Sequence, residues 1–232
     1  MNILDYIVIG LIALYVLNGV YRGFIPSLLN LGGFFVSWIV AFLTYPLLSS
    51  SLMKSEFFSS LSYYIEGAES INDPSLIKLP VASISESQLD SIMSNATLSP
   101  PFDRAIAENI SNQAFADQGL TTLGEYFNQS MYCVIINIIS LLIIFICLRV
   151  ILTLLTNAFS FGFSTPQLRH FDYLLGGGVG ALRGFFSIHL VFCVIPIFMI
   201  ILPDLVTSFI NDSFFANLLY SGNMVLRFIS GT

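Results

Sequence analysis

Charged residues are scarce in this sequence. Only 9% of its 232 residues are Asp, Glu, Lys or Arg, whereas 56% are hydrophobic. Soluble domains carry about 25% charged residues, so a soluble fold of this composition would not cover its surface with polar groups. The shortage of charge therefore excludes an ordinary soluble domain and favours the membrane class.

Cysteine and histidine are also rare, which removes most disulfide and metal chemistry. All three cysteines fall inside apolar runs, without the spacing of metal ligands: Cys133, Cys147 and Cys193. Cysteines in such surroundings behave as small buried hydrophobic residues, so no disulfide framework is predicted. The sequence also lacks the serine and histidine motifs of common hydrolases. We therefore predict no enzyme, and no catalytic, cofactor-binding or metal-binding residues.

Basic residues are outnumbered, with eight Lys and Arg against 14 Asp and Glu. Affinity for nucleic acids comes mainly from neutralising phosphates, so no nucleic-acid partner is predicted. The acids are also unevenly spread, because residues 49–130 contain 10 of the 14. This polar, acidic segment is predicted to lie outside the membrane.

Long apolar runs are what the sequence does contain. A helix needs about 20 mostly apolar residues to cross the hydrocarbon core. Four segments satisfy this requirement: residues 3–21, 25–48, 131–155 and about 174–202. The predicted fold is all-α, a polytopic membrane protein with four transmembrane helices, a helical extracytoplasmic insertion and an amphipathic C-terminal tail.

The predicted organisation has four parts along the chain. They are a transmembrane hairpin (1–48), an acidic extracytoplasmic segment (49–130), a second hairpin (131–202) and an amphipathic extracytoplasmic tail (203–232). Within the acidic segment, Ser85 and Gln88 fit a capping box that begins a short helix. A second helix is predicted over about 102–115, from the apolar spacing on one face.

Orientation follows from the basic residues of the two short loops. Arg22 lies between the first two spans and Arg169 between the last two, so both loops are predicted to be cytoplasmic. The N- and C-termini then lie outside the cytoplasm. Four charged residues near the span ends are predicted to be membrane-surface anchors: Asp5, Arg22, Arg149 and Arg183. For Asp5, contact with a polar group in an assembly is an open alternative.

Small residues recur at helical spacing in two of the spans. They form one stripe in the fourth span and one in the second: Gly176, Gly180 and Gly184, and Gly33, Ser37 and Ala41. Such stripes let another helix approach closely, either within the bundle or in an assembly or pore. The glycine cluster lacks the Lys-Ser/Thr pair and the βαβ setting of a nucleotide loop.

Two polar residues lie inside the spans. His189 in the fourth span is a candidate because ionisable groups in membranes are often functional. A neutral histidine bonded to a neighbouring helix is the other interpretation, and Asn137 is a possible partner. Pro196, also in the fourth span, is predicted to kink its helix.

Short motifs, in their order along the chain, resemble the colicin V production family of bacterial inner-membrane proteins. They are Asp5-Tyr6, Arg22-Gly23-Phe24 after the first span, and the glycine-rich residues 174–184 entering the fourth. The resemblance implies a multi-pass protein of the bacterial inner membrane, without enzymatic activity, associated with colicin V export and envelope maintenance. Where that family often has Asn before its Leu-Leu-Gly stretch, this chain has Asp172.

The sequence and the family resemblance favour two functions. The first is a role in export or envelope homeostasis through helix-mediated assembly. The alternative is a homo-oligomeric channel or transporter whose fourth span lines the pore. The expected partners are membrane lipid and either further copies of the chain or other membrane proteins.

Overall fold

The structure is a computed structural model that describes residues 2–160 and 171–232. Arg169, on which part of the orientation argument depends, lies outside the described residues. Within them, α-helices and short 3-10 turns account for the regular structure, and the only bridge is an isolated one between Pro80 and Thr122. The α-helices are α1 (Ile3–Arg22), α2 (Phe24–Met53), α3 (Glu56–Ser59), α4 (Glu86–Asn95), α5 (Phe102–Ser111), α6 (Leu123–Ser160), α7 (Asp172–Phe192), α8 (Ile195–Ile201), α9 (Pro203–Asn211), α10 (Phe214–Ser221) and α11 (Met224–Phe228).

Four stretches are long and apolar enough to cross a membrane, which confirms the predicted fold class. They are Ile3–Arg22, Phe24–Met53, Leu123–Thr156 and Asp172–Ile201. Each of the four helices extends beyond its predicted apolar run at one end or at both. The backbone hydrogen bonds of an α-helix are internal, so polar residues next to an apolar run can continue the same helix. The second helix also runs through Pro46 without a break.

The helix of the fourth span is interrupted beside Pro196, at the place where a kink was predicted. α7 ends at Phe192 and α8 begins at Ile195, with Pro196 in its first turn. The ring of a proline removes a backbone donor and clashes with the preceding turn. Between the two helices, the N–H groups of Cys193 and Val194 donate three residues back, to Leu190 and Val191, at 3.2 and 3.1 Å.

The chain forms two compact units, and α2 and α6 contribute residues to both. The first unit comprises Met1–Tyr45 and Leu141–Met224. Within it, α1 packs along α7. Edge-to-face aromatic pairs join α2 to its neighbours: Phe34 lies 5.4 Å from Phe145 of α6, and Phe35 lies 4.9 Å from Phe186 of α7, between ring centroids.

The predicted tail is divided into short helices. Ser213 separates α9 from α10, because its hydroxyl accepts the N–H of Ala216 at 3.1 Å and so begins a new helix. A second interruption follows at Gly222 and Asn223, before α11. The predicted amphipathic tail therefore consists of successive short helices and not of one continuous helix.

The second unit comprises Pro46–Ser140 and Val225–Thr232. The predicted capping box is present at the start of α4: Ser85 Oγ accepts the Gln88 N–H, and Gln88 Oε1 accepts the Ser85 N–H at 3.0 Å. The helix predicted over about 102–115 is found as α5 and ends at Ser111.

The last residues of the second unit are held by two side chains of α5, the exposed Arg104 and the buried Asn109. The carbonyl of Ile229 accepts from Arg104 Nη2 at 2.7 Å, and that of Gly231 accepts from Asn109 Nδ2 at 2.8 Å. Asn109 Nδ2 also donates to Ser130 Oγ at 2.8 Å. A buried amide with two partners makes these residues part of the core.

We expect Asn109→Ala to destabilise the second unit. It leaves the Gly231 carbonyl and the Ser130 hydroxyl without this donor, at a cost of about 1–3 kcal/mol. Thermal unfolding and limited proteolysis in detergent measure the loss. The neighbouring exposed Glu108→Ala is the control, with an expected effect of at most about 0.5 kcal/mol. Equal melting of the two variants would show that Asn109 does not anchor the last residues.

Candidate functional site

Glycines bring α1 and α7 into close backbone contact. Gly19 of α1 and Gly176 and Gly180 of α7 are all buried. A Cβ added at Gly19 would lie 2.9 Å from the carbonyl carbon of Gly176 and 3.1 Å from Cα of Gly180. Real Cβ atoms essentially never lie within 3.0 Å of another heavy atom, so the helices approach this closely only because these residues lack side chains.

The same stripe continues along α7 to Gly184. A Cβ there would lie 3.1 Å from Tyr15 Cβ of α1. A Cβ at Gly180 would lie 3.0 Å from the carbonyl carbon of Tyr15 and closer still to its oxygen. The three predicted packing glycines of α7 therefore face α1 of the same chain.

The second predicted stripe lies on α2. Ser37 and Ala41 are buried, and the Ser37 hydroxyl donates to the carbonyl of Gly33 at 2.8 Å. Gly33 faces Arg149 of α6, since an added Cβ would lie 3.2 Å from Arg149 Nη1. The absence of a side chain at Gly33 makes room for this guanidinium group.

A one-residue turn joins α1 to α2 and contacts the start of α7. Gly23 has a φ of +81°, which favours glycine. The Phe24 N–H donates to Asp172 Oδ1 at 3.0 Å, and a Cβ at Gly23 would clash with the same carboxylate. The carboxylate therefore stabilises the first turn of α2, as an acidic side chain does at a helix N-terminus. The Arg22-Gly23-Phe24 motif, which precedes the second span, is therefore adjacent in space to the start of the fourth span.

Beside these contacts lies a polar cleft between α1, α2 and α7. Its volume is about 220 Å³, counted with its open side. The lining contains two arginines and no acidic residue: Tyr15, Asn18, Gly19, Arg22, Ser27, Asn30, Val179, Gly180 and Arg183. We call it the arginine cleft.

Three of the four predicted surface anchors meet at the arginine cleft. Arg22 and Arg183 line it, and Arg149 Nη2 donates to the lining residue Asn30, at Oδ1, over 3.2 Å. Arg183 Cζ lies 5.1 Å from the centroid of the Tyr15 ring, a cation–π arrangement. The Nε atom of Arg183 is buried and has no hydrogen-bond partner among the described residues.

The fourth predicted anchor, Asp5, lies elsewhere in the first unit and is buried. Its Oδ1 accepts from the Ser213 hydroxyl at 2.7 Å and from the Phe215 N–H at 2.9 Å. Its Oδ2 accepts the Asn2 N–H at 2.7 Å. Asp5 therefore links the start of α1 to the start of α10 within one chain.

The two predicted intramembrane polar residues have partners in their own units. His189 Nδ1 lies 2.9 Å from the Phe185 carbonyl oxygen, and the His189 carbonyl accepts from Asn223 Nδ2 at 2.8 Å. Asn137 accepts from the Ser49 hydroxyl and donates to the Ser230 carbonyl at 2.9 Å. No cluster of three or more His, Cys, Asp or Glu suited to a metal ion occurs in the described part of the chain.

Sequence reasoning missed the neutral residues of the arginine cleft. Tyr15, Asn18 and Arg22 follow one another at spacings of three and four, which places them on one helix face beside Gly19. That spacing is a usable signal, because polar residues on one face of an apolar helix mark a polar neighbour. Asn30 carries no comparable signal, since its importance depends on Arg149 of another helix.

The four apolar helices make this an α-helical multi-pass membrane protein. The profile of the family described as Colicin V production protein matches residues 4–79 and 113–223, which include every residue of the arginine cleft. The chain belongs to this family.

One curated relative comes from Haemophilus influenzae and is named Colicin V production protein homolog. It is 40% identical to this chain over 68 residues, which are 29% of this chain and 39% of the relative. The matched part thus spans less than half of the relative's length. No solved structure matches the chain.

The glycine contact predicts opposite effects for two alanine substitutions on α7. Gly180→Ala places a methyl group against the backbone of Tyr15, an overpacking that costs roughly 1–3 kcal/mol. Gly178→Ala meets open space and gains up to about 1 kcal/mol of helix propensity. Thermal unfolding in detergent, followed by circular dichroism, measures both. A Gly180→Ala variant as stable as Gly178→Ala would contradict the close approach.

Proposed function

We propose that the chain is a non-enzymatic protein of the bacterial inner membrane that acts in export or envelope homeostasis through helix-mediated assembly. The observation that supports this proposal is the family match, which extends over all four membrane-spanning helices. The description of the family, and the name of the relative, associate such proteins with colicin V production. Export and envelope maintenance are the processes in which a membrane protein without a catalytic centre would contribute to that production.

Assembly would use surfaces other than the glycine stripe of α7, since α1 already covers that stripe. Exposed apolar side chains are available on α2 and α6, where Leu43 is 71% and Leu154 is 65% exposed. Association of helices in a bilayer depends on close packing of such surfaces and on displaced lipid. We propose that membrane lipid and either further copies of this chain or other membrane proteins are the partners.

The alternative is a homo-oligomeric channel or transporter with α7 lining its pore. Because Gly176, Gly180 and Gly184 face α1, a pore would have to be lined by another face of α7. Flux of ions or small solutes through liposomes that contain the purified protein separates the two functions. Sustained flux favours the channel, and its absence under voltage and concentration gradients favours the assembly role.

We propose that the arginine cleft lies towards the cytoplasm and that both termini are extracytoplasmic. Arg22, Arg149 and Arg183 gather at this one cleft, and cytoplasmic ends of membrane proteins are enriched in Lys and Arg. The acidic residues 49–130 then face away from the cytoplasm.

Deletion of the gene tests the proposed role. In a strain that carries colicin V genes, we expect loss of this chain to reduce colicin V in the medium or to raise sensitivity to detergents. The wild-type chain and the Gly178→Ala variant should restore both properties, whereas Gly180→Ala should restore them only in part. Unchanged secretion and an unchanged barrier in the deletion strain would contradict the proposal.

Cysteine labelling tests the orientation. The three native cysteines are replaced by alanine, and single cysteines are introduced as Asp90→Cys and Phe171→Cys, both at exposed positions outside the spans. An impermeant maleimide added to spheroplasts should label Asp90→Cys directly and Phe171→Cys only after permeabilisation. The reverse pattern would invert the topology.

A further inference from the structure

The positive charges of the arginine cleft have no acidic partner among its lining residues. Arg22 and Arg183 line the cleft, and Arg149 reaches it through Asn30. Asp172, which contacts the neighbouring turn, is not part of the lining and accepts the Phe24 N–H. Arginine remains protonated in proteins, so three like charges are held together with nothing in the lining to balance them.

Arg183 lacks both an acidic partner in the lining and a hydrogen-bond partner for its buried Nε among the described residues. It lies about 16 Å along α7 from Asp172, at a rise of 1.5 Å per residue, within a span. A charge at such a depth is costly unless it is paired, and a buried donor such as Nε normally has a partner. An anionic ligand in the cleft would supply the counter-charge that the lining residues lack.

Neighbouring side chains hold two of the guanidinium groups in place. The ring of Tyr15 lies against Arg183, and Asn30 Oδ1 accepts from Arg149. Asn30 is itself oriented, because its Nδ2 donates to the Pro26 carbonyl at 3.0 Å. Charged groups fixed before a ligand arrives bind it with a smaller loss of conformational entropy.

The lining of the cleft suits an anionic group on chemical grounds, because both of its charged side chains are arginines. Guanidinium groups match the oxygens of phosphate in paired hydrogen bonds. The open side leaves room for the rest of a molecule that carries the phosphate group.

We infer that the arginine cleft is a binding site for a phosphate group, with Arg183 and Arg22 as its charged ligands and Arg149 beside them. The group belongs either to an anionic phospholipid at the membrane surface or to free phosphate. The inference concerns ligand binding alone and does not depend on the proposed role in export.

Binding to the purified, delipidated full-length chain in neutral detergent tests the inference. In one arm, inorganic phosphate is titrated at constant ionic strength and followed by calorimetry. In the other arm, phosphatidylglycerol or phosphatidylcholine is added, and native mass spectrometry counts the bound lipid. We expect Arg183→Gln to weaken phosphate or phosphatidylglycerol binding by roughly tenfold to a hundredfold, the range for a charged hydrogen-bonded contact.

Arg227→Gln is the matched control, because it removes the same charge at an exposed position outside the cleft. It should alter binding by no more than about threefold, as expected of a screened surface charge. An effect in the inorganic phosphate arm identifies free phosphate as a ligand, and an effect confined to phosphatidylglycerol identifies the lipid headgroup. Absence of binding in both arms, or equal binding by the two variants, would overturn the inference.

Asn18 provides a second test that leaves the arginines intact. It lines the cleft at an exposed position, so substitutions there should not disturb packing. Asn18→Asp places a carboxylate among the guanidinium groups and should weaken anion binding at least about tenfold by competing for them. Asn18→Ser, which adds no charge, should bind like the wild type. Equal affinities of these two variants would also overturn the inference.

Discussion

The first unit depends on the contact between α1 and α7, and that contact depends on glycines, which have no side chain to hold the two backbones apart. With Gly19 set against Gly176 and Gly180, the two backbones meet directly. Lipid offers helices no hydrophobic gain from association, so close van der Waals packing of this kind is a main source of attraction between them. The approach also places Tyr15 and Arg22 of α1 opposite Arg183 of α7. The same glycine contact therefore brings the two helices together and brings their arginines into one cleft.

The cluster explains why arginines occur in helices otherwise suited to lipid. Each guanidinium group alone would extend towards the headgroups along its aliphatic chain. In the structure, Asn30 and Tyr15 turn two of them towards a shared space. Asp172 is not part of the lining, but it accepts the Phe24 N–H and so fixes the turn that follows Arg22. Within the first unit, the hydrogen bond that fixes the turn between α1 and α2 therefore lies next to the charged residues of the cleft.

Hydropathy and spacing predicted the four spans, the break at Pro196 and the helix that Ser85 caps, since each depends on residues close together in the chain. The glycine stripe of α7 was also visible, but its partner was not, because periodicity shows a face and not what covers it. The convergence of Arg22, Arg149 and Arg183 was hidden for the same reason. The burial of Asp5 was missed because its partner, Ser213, lies in the tail.

The pairing of α1 with α7 has a consequence for the order of synthesis. Gly19 leaves the ribosome long before Gly176, because the second and third spans and the whole acidic segment come between them. During that interval, the glycine face of α1 lacks the helix that covers it in the folded chain. The first helix therefore lies in the bilayer, or beside the insertion machinery, without α7 until the fourth span has been synthesised and inserted. A chain interrupted before α7 would leave that face permanently uncovered, as a surface for capture by other helices or for degradation.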